Sequence, residues 1–258
     1  MNSTILLKAQ RVSKAFQGFL AVMDADFEIS PGEIVGIIGP NGAGKSTFFN
    51  CLSGEMVPTN GSVIFQEMNV TRATPEQHAL LGIGRTYQVP ATFEDMTILE
   101  NVMVGAFLRH AHQADARKEA MEILDFTGLR AQAGHRAKSL GTPGRKRLEI
   151  ARALATRPRL LLLDEALSGL TPVEIQQAIG LVRQIHQTGV TLVIVEHIME
   201  VVLSLAQRII VFNHGQIIAT GKPEEIVNDP KVVEAYLGSG RKSRRLSAMS
   251  GPTGNNGA

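Results

Sequence analysis

The chain has 258 residues, 44% apolar and 19% charged, with no Trp and a formal net charge of +2, which suits one compact domain or a domain carrying a subdomain. No run of eighteen apolar residues occurs, so no membrane-spanning helix is expected. Met1 to Lys8 lack the apolar core of a secretory signal, so cytosolic residence is expected.

In chain order, Leu6 to Phe27 alternates apolar and polar residues in pieces, as antiparallel strands do. Pro31-Gly32 turns the chain into Ile34–Ile38, a short buried strand. Gly39-Pro40-Asn41-Gly42-Ala43-Gly44-Lys45-Ser46-Thr47 follows and matches the phosphate-binding pattern G-x-x-x-x-G-K-[ST] at every fixed position. The glycines let the backbone curl so that successive N–H groups point at a triphosphate. Lys45 then reaches the outer phosphates, and the Ser46 hydroxyl ligates Mg²⁺. A helix over Thr47–Leu52 aims its N-terminus at the anion. Cys51, the only cysteine, excludes an internal disulfide and is expected as a buried structural thiol on that helix.

A turn at Pro58–Gly61 precedes a short strand, Ser62–Phe65, and Thr74 caps a helix with Pro75 in its first position. From about Thr97 to Leu154 the pattern is helical, with a helix end near Gly128. Leu160–Leu163 is a continuous apolar run, expected as a parallel strand buried on both faces. It delivers Asp164 and Glu165 to its C-terminal end, where open α/β sheets bind ligands. Asp164 is expected to hold Mg²⁺ through water. Glu165 is expected to orient or deprotonate the water that attacks the terminal phosphate.

Helices are expected over Val173–Gln187 and His197–Ala206, and strands over Val190–Val195, Arg208–Asn213 and Gln216–Ala219. His214-Gly215 joins the last two strands. Strands alternating with helices give an α/β fold: one phosphate-loop NTPase core with a mainly parallel sheet, an N-terminal antiparallel β subdomain and a helical insert. There is no internal repeat. After Glu234 come four bases, Arg241, Lys242, Arg244 and Arg245, and no acid. This basic tail, rich in Gly, Ser and Asn, is expected to be disordered and solvated. Without it the body carries more acid than base. The body shows no basic stripe interleaved with aromatics, so nucleic acid is not expected as a partner.

The order of Phe16, the phosphate loop, Gln88, the glycine-bearing turn and helix of Leu140–Leu154, Asp164-Glu165 and His197 resembles an ATP-binding-cassette ATPase from Leu6 to about Leu237. Gly82 to Gln88, Thr97 to Gly105, Arg147 to Ala151 and Val195-Glu196-His197 resemble in particular the ATP-binding subunits of branched-chain amino acid importers. Amide and urea importers and a lipopolysaccharide-export ATPase share much of this pattern. The resemblance implies an ATPase domain over residues 1–240, with its helical insert at about 89–152, and a tail over 241–258. It implies that Phe16 stacks on adenine, that Gln88 contacts Mg²⁺ and the attacking water, and that His197 contacts the γ-phosphate. ATP and Mg²⁺ are the implied cofactors.

The same resemblance implies two cassettes that sandwich two ATP molecules head to tail. Each site would combine one chain's phosphate loop with the other's signature segment. The cassettes would dock on integral-membrane permease subunits at the cytoplasmic face of the inner membrane, and would serve a solute-binding protein indirectly. The family signature Leu-Ser-Gly-Gly-Gln is altered here to Leu140-Gly141-Thr142-Pro143-Gly144. The serine is absent, and Pro143 has no N–H to offer a phosphate. The acid pair continues into Ala166 rather than Pro. A heterodimer with one strong and one weak hydrolytic site is therefore expected over a homodimer. Two other classes fit less well. A soluble ribosome- or DNA-linked ATPase of this superfamily usually carries two cassettes or a coiled-coil insert. A phosphate-loop kinase does not predict Gln88, the Leu140 segment and His197 in this order.

Overall fold

The computed structural model describes residues 5–237; the basic tail expected after Gly238 lies outside them. The elements run β1 (Leu7–Phe16), β2 (Phe19–Ile29), β3 (Ile34–Ile38), α1 (Lys45–Leu52), β4 (Asn60–Phe65), β5 (Met68–Asn69), α2 (Pro75–Leu81) and β6 (Ile83–Arg85). Then come α3 (Ile98–Ala106), α4 (Gln113–Phe126), α5 (Thr142–Leu154), β7 (Leu160–Asp164), α6 (Pro172–Gln187) and β8 (Thr191–Val195). The described chain closes with α7 (Met199–Leu205), β9 (Arg208–Asn213), β10 (Gln216–Gly221), α8 (Pro223–Ile226) and α9 (Pro230–Leu237).

Two sheets form. The N-terminal sheet is antiparallel, in the order β2-β1-β4-β5. The central sheet has the order β10-β9-β3-β8-β7-β6, parallel except for β10 at its edge. Every residue of β3, β7 and β8 is buried, as their unbroken apolar runs demand of strands covered on both faces. Phe48, Phe49, Phe65 and Phe212 fill the core between the two sheets. α6 and α7 cover the opposite face through Val182, Ile185 and Val201.

Helices start and stop where local chemistry tells them to. Thr74, Thr97 and Thr171 each cap a helix and receive a capping box from Gln77, Glu100 and Glu174, each cap worth about 1 kcal/mol. α4 ends in a Schellman turn: Gly128 takes φ +75°, and the Leu129 N–H donates to the Leu124 carbonyl at 2.7 Å. α3, α4 and α5 share their own small core of Ile98, Val102, Leu124 and Leu148 with many alanines. Gly105 permits the closest approach, since a Cβ there would lie 2.5 Å from the Arg152 carbonyl oxygen.

Several boundaries differ from expectation, β4 already starting at Asn60, α6 at Pro172 and β8 only at Thr191; three others bear on the site or the sheet. α1 starts at Lys45 rather than Thr47, because Gly44 at φ +102° ends the loop. β10 runs on to Gly221, paired with Ile209. α7 starts only at Met199, because the chain must leave the sheet before a helix can pack on β3; His197 therefore sits on the bend. Among the described residues no helix is long and apolar enough to cross a membrane.

Candidate active site

The phosphate loop is wedged between sheets. A Cβ on Gly39 would lie 2.2 Å from the Phe212 carbonyl oxygen, so only glycine lets β3 turn against β9 there. Gly44 has the same constraint against the Ala21 carbonyl of β2, which ties the N-terminal hairpin to the loop. Ala43 is buried, and its carbonyl accepts from the Gly215 N–H at 2.9 Å. Pro40 accepts from the Ala43 N–H at 3.2 Å, closing the turn. Asn41, Gly42 and Ser46 face solvent, with Thr47 half-buried beside them. The first-turn N–H groups of α1, on Lys45, Ser46 and Thr47, have no helical partner behind them. They make an anion cradle.

Lys45 is 7% exposed, and its Nζ donates to the carbonyls of Gly39 at 2.8 Å and Pro40 at 3.0 Å. Burial pulls its pKa down, opposed by attraction from Glu165 and then Asp164. The loop cation and the two acids after β7 therefore share one electrostatic site. Asp164 is also buried. Burial raises its pKa, opposed first by Arg85, whose guanidinium stands 3.5 Å away. Arg85 is itself held by Asn50 at 3.0 Å and Ser53 at 2.8 Å, both on or beside α1.

Three of the sequence-predicted residues converge. Gln88 Nε2 donates to Glu165 Oε2 at 2.7 Å, and His197 Nδ1 lies 3.9 Å from the same oxygen. They arrive from three places: the loop after β6, the end of β7 and the bend after β8. Glu165 holds φ +46°, a left-handed backbone that costs an ordinary residue about 1 kcal/mol or more. Its N–H still pairs with the Val195 carbonyl at 2.9 Å, so the carboxylate is aimed from a fixed base. Ser46, Gln88 and Asp164 offer hydroxyl, amide and carboxylate oxygens, the hard donors that suit Mg²⁺. Among the described residues no cluster of three or more His, Cys, Asp or Glu forms a self-sufficient metal site.

Phe16 stands at the tip of the β1–β2 hairpin, 42% exposed, with Lys14 Nζ 5.4 Å from its ring centre. An aromatic face open to solvent can accept a flat base. The Leu140–Gly144 segment forms the start of α5, with Gly141 at the N-cap and no side-chain capping bond. Cys51 is buried, and burial pushes its thiol up to about 11.

Four charged groups around this site, Arg85, Lys146, Glu149 and Glu196, were not singled out from sequence, and the last three are at most 6% exposed. The available signal was spacing. Lys146 and Glu149 are one helical step of three apart on α5, on the side that carries Ile150 and Ala153 inward.

The chain matches the ABC transporter family over residues 22–168 and the branched-chain amino acid ATP-binding cassette transporter family over residues 216–242. It is 38% identical to the high-affinity branched-chain amino acid transport ATP-binding protein LivG of Escherichia coli K12 over 252 residues, 90% of this chain and 98% of that protein. An ATP-binding cassette of an ABC transporter in its ADP conformation superposes with a TM-score of 0.82 at 31% identity, over 91% of this chain and 99% of the other. A dimeric cassette bound to ADP and Pi in a post-hydrolysis state superposes with a TM-score of 0.77 at 27% identity, over 84% and 98%. With the phosphate loop, the acid pair and the two-sheet fold in place, the chain belongs to the ATP-hydrolysing subunits of the ABC transporter family and resembles those of branched-chain amino acid transporters.

Proposed function

We propose that this chain hydrolyses ATP to energise a membrane importer of branched-chain or other small amino acids. The observation that carries the hydrolytic assignment is the meeting of Gln88 and His197 at the Glu165 carboxylate, in the electrostatic reach of Lys45. The loop N–H groups of Gly39 to Thr47 and the Lys45 ammonium take the phosphates, and Phe16 takes the adenine. Ser46 and Asp164, with Gln88, would hold Mg²⁺, which would supply charge neutralisation at the phosphates. Glu165 orients the attacking water and takes its proton. Gln88 positions that carboxylate, and His197 contacts the γ-phosphate. In-line positioning and charge stabilisation, rather than covalent chemistry, are what such a transfer needs.

The partners follow from what the chain lacks. The start of α5 serves a second cassette's nucleotide, so the working unit is a dimer, with a different cassette favoured as partner. A cleft of about 300 Å³ between α2, β6, α3 and α5 is lined by Tyr87, Val104 and Leu108. Tyr87 and Val104, two of its lining residues, are exposed, an apolar rim suited to a segment of an integral-membrane permease. Gln88 follows Tyr87, so a permease seated there is one residue from the hydrolytic cluster. On this proposal the chain works peripherally on the cytoplasmic face of the inner membrane, serving a solute-binding protein only through the permease.

Affinity capture of the full chain from detergent-solubilised membranes of its own cells, with every co-purifying subunit identified, tests this assignment. Two permease proteins and a second cassette are expected, with amino-acid uptake lost on deletion. Capture only from the soluble fraction with ribosomal or DNA-linked partners would overturn the transport role. Loss of amide, urea or lipopolysaccharide transport instead would replace the cargo.

A further inference from the structure

α5 carries three charged side chains at three-residue spacing, Lys146, Glu149 and Arg152. Lys146 and Glu149 are buried and Arg152 is partly exposed, and charged groups are seldom buried unless paired. Each reaches a different piece of backbone. Lys146 Nζ donates to the carbonyl of Glu165 at 2.8 Å and approaches Ser168 Oγ at 3.2 Å. Glu149 Oε1 accepts from the Tyr87 N–H at 2.7 Å, one residue before Gln88. Arg152 donates to the Ala91 carbonyl, with its guanidinium 4.6 Å from the Phe93 ring centre. One helix therefore grips both loops whose side chains meet at the Gln88–Glu165 hydrogen bond.

The grip falls where strain is stored. The Glu165 carbonyl, turned by its left-handed φ, accepts from Lys146 and also from Ser168 Oγ at 2.9 Å. A strained residue persists only where its surroundings over-determine it. Behind Lys146 stands Glu196, fully buried beside His197. One of its oxygens accepts from the Leu167 N–H at 2.8 Å, and the other has no partner. Burial raises the Glu196 pKa, and attraction from Lys146 opposes it, so Lys146 serves as its counter-charge.

We propose that Lys146 and Glu149 are positioning residues. They tie the start of α5 to the backbone that carries Glu165 and Gln88, so that a shift of α5 resets this chain's own hydrolytic groups. The proposal rests on Glu165 being the group that activates water, as set out above.

The test uses the full chain assembled with the subunits that co-purify with it. Lys146→Met is expected to lower kcat at least about tenfold while KM for ATP stays within about twofold, with Lys146→Arg recovering most of the loss. A Lys146→Met/Glu196→Gln double variant removes both buried charges together, so folding is spared an unpaired carboxylate. Its kcat is expected to stay low at an unchanged melting temperature. Unchanged kcat in Lys146→Met, or recovered kcat in the double variant, would overturn the proposal and leave Lys146 as a counter-charge only. Loss of ATP binding together with a collapsed melting temperature in both variants would overturn it too, as a purely structural role. Glu165→Gln is measured alongside: retained turnover there sinks the underlying assignment of Glu165, whatever the Lys146 variants do.

Discussion

Two places on this chain are shaped to meet a triphosphate, and they are built differently. The loop after β3 is enclosed by β2, β9 and the turn at Gly215, its Gly39 and Gly44 fit gaps that admit no Cβ, and its lysine is buried. The start of α5 is open, uncapped by any side chain, with no N–H at Pro143 and no hydroxyl at Gly141. In the function proposed above, the first is a site this chain uses and the second a surface it lends to a partner. Competence to hydrolyse and competence to help a partner hydrolyse would then be separate properties, set about a hundred residues apart.

The largest expected effect strikes the first place. Glu165→Gln should cut turnover by about 10³-fold, or ~4 kcal/mol of barrier, while ATP still binds. Single-turnover and binding assays on the assembled complex separate the two; turnover near that of the unaltered chain would remove Glu165 from the mechanism. Lys45→Ala should follow at about 200-fold in ATP affinity, ~3 kcal/mol, since it deletes a buried cation facing the phosphates. Titration with a fluorescent ATP analogue reads that loss directly, and micromolar affinity retained in the variant would refute the role.

How legible each place was in the sequence follows from the same contrast. The phosphate loop is a local device: nine consecutive residues specify its turn, its cation and its helix. The strands beside it are unbroken apolar runs, and the antiparallel hairpin shows period-two alternation, so sheets and core could be read from periodicity. Asp164 and Glu165 were legible because an apolar run ends on them. The polar scaffold was not. Lys146 touches Glu165, nineteen positions on, and Glu149 touches Tyr87, sixty-two positions back. Spacing puts Lys146 on the inward side of α5, but that it reaches Glu165 is set only by the packing of α5 against two loops. The bend at His197 was missed for a related reason. Apolar periodicity continues through Ile198, Val201, Val202 and Leu205, while the need to leave the sheet is set by β3 and β8.

A smaller effect comes from that hidden scaffold. Burial raises Glu196 from 4.5 to about 7. A carboxyl whose folded pKa is raised favours the fold fully below its unfolded value, and loses that advantage as pH rises through the folded one. Stability should therefore fall between about pH 4.5 and 7, by a ceiling of about 3 kcal/mol. Glu196→Gln keeps the acceptor for the Leu167 N–H and removes the charge. It should flatten this dependence and stabilise the chain at pH 8 by about 2 kcal/mol. Melting temperatures across pH 5 to 8 measure it, and parallel curves for the two proteins would show that Glu196 does not titrate there.

The smallest effect is also the sharpest probe of the lent surface. Pro143→Ala restores an N–H in the first turn of α5 without the entropic cost of glycine, and it occupies no space that proline does not. Gly141→Ser adds a hydroxyl at the N-cap, where serine is among the preferred residues. One hydrogen bond to a charged group contributes about 1.5–3 kcal/mol when well aligned. An exposed helix start should realise only part of that, so a gain of about three- to tenfold in the turnover of the partner's site is expected. To isolate that site, this chain also carries Glu165→Gln, which silences its own. A gain under those conditions means that the altered segment limits the lent half. No gain means that Gly144 and its neighbouring N–H groups already supply what the partner's γ-phosphate needs, and that the asymmetry between the two halves is one of sequence rather than of rate.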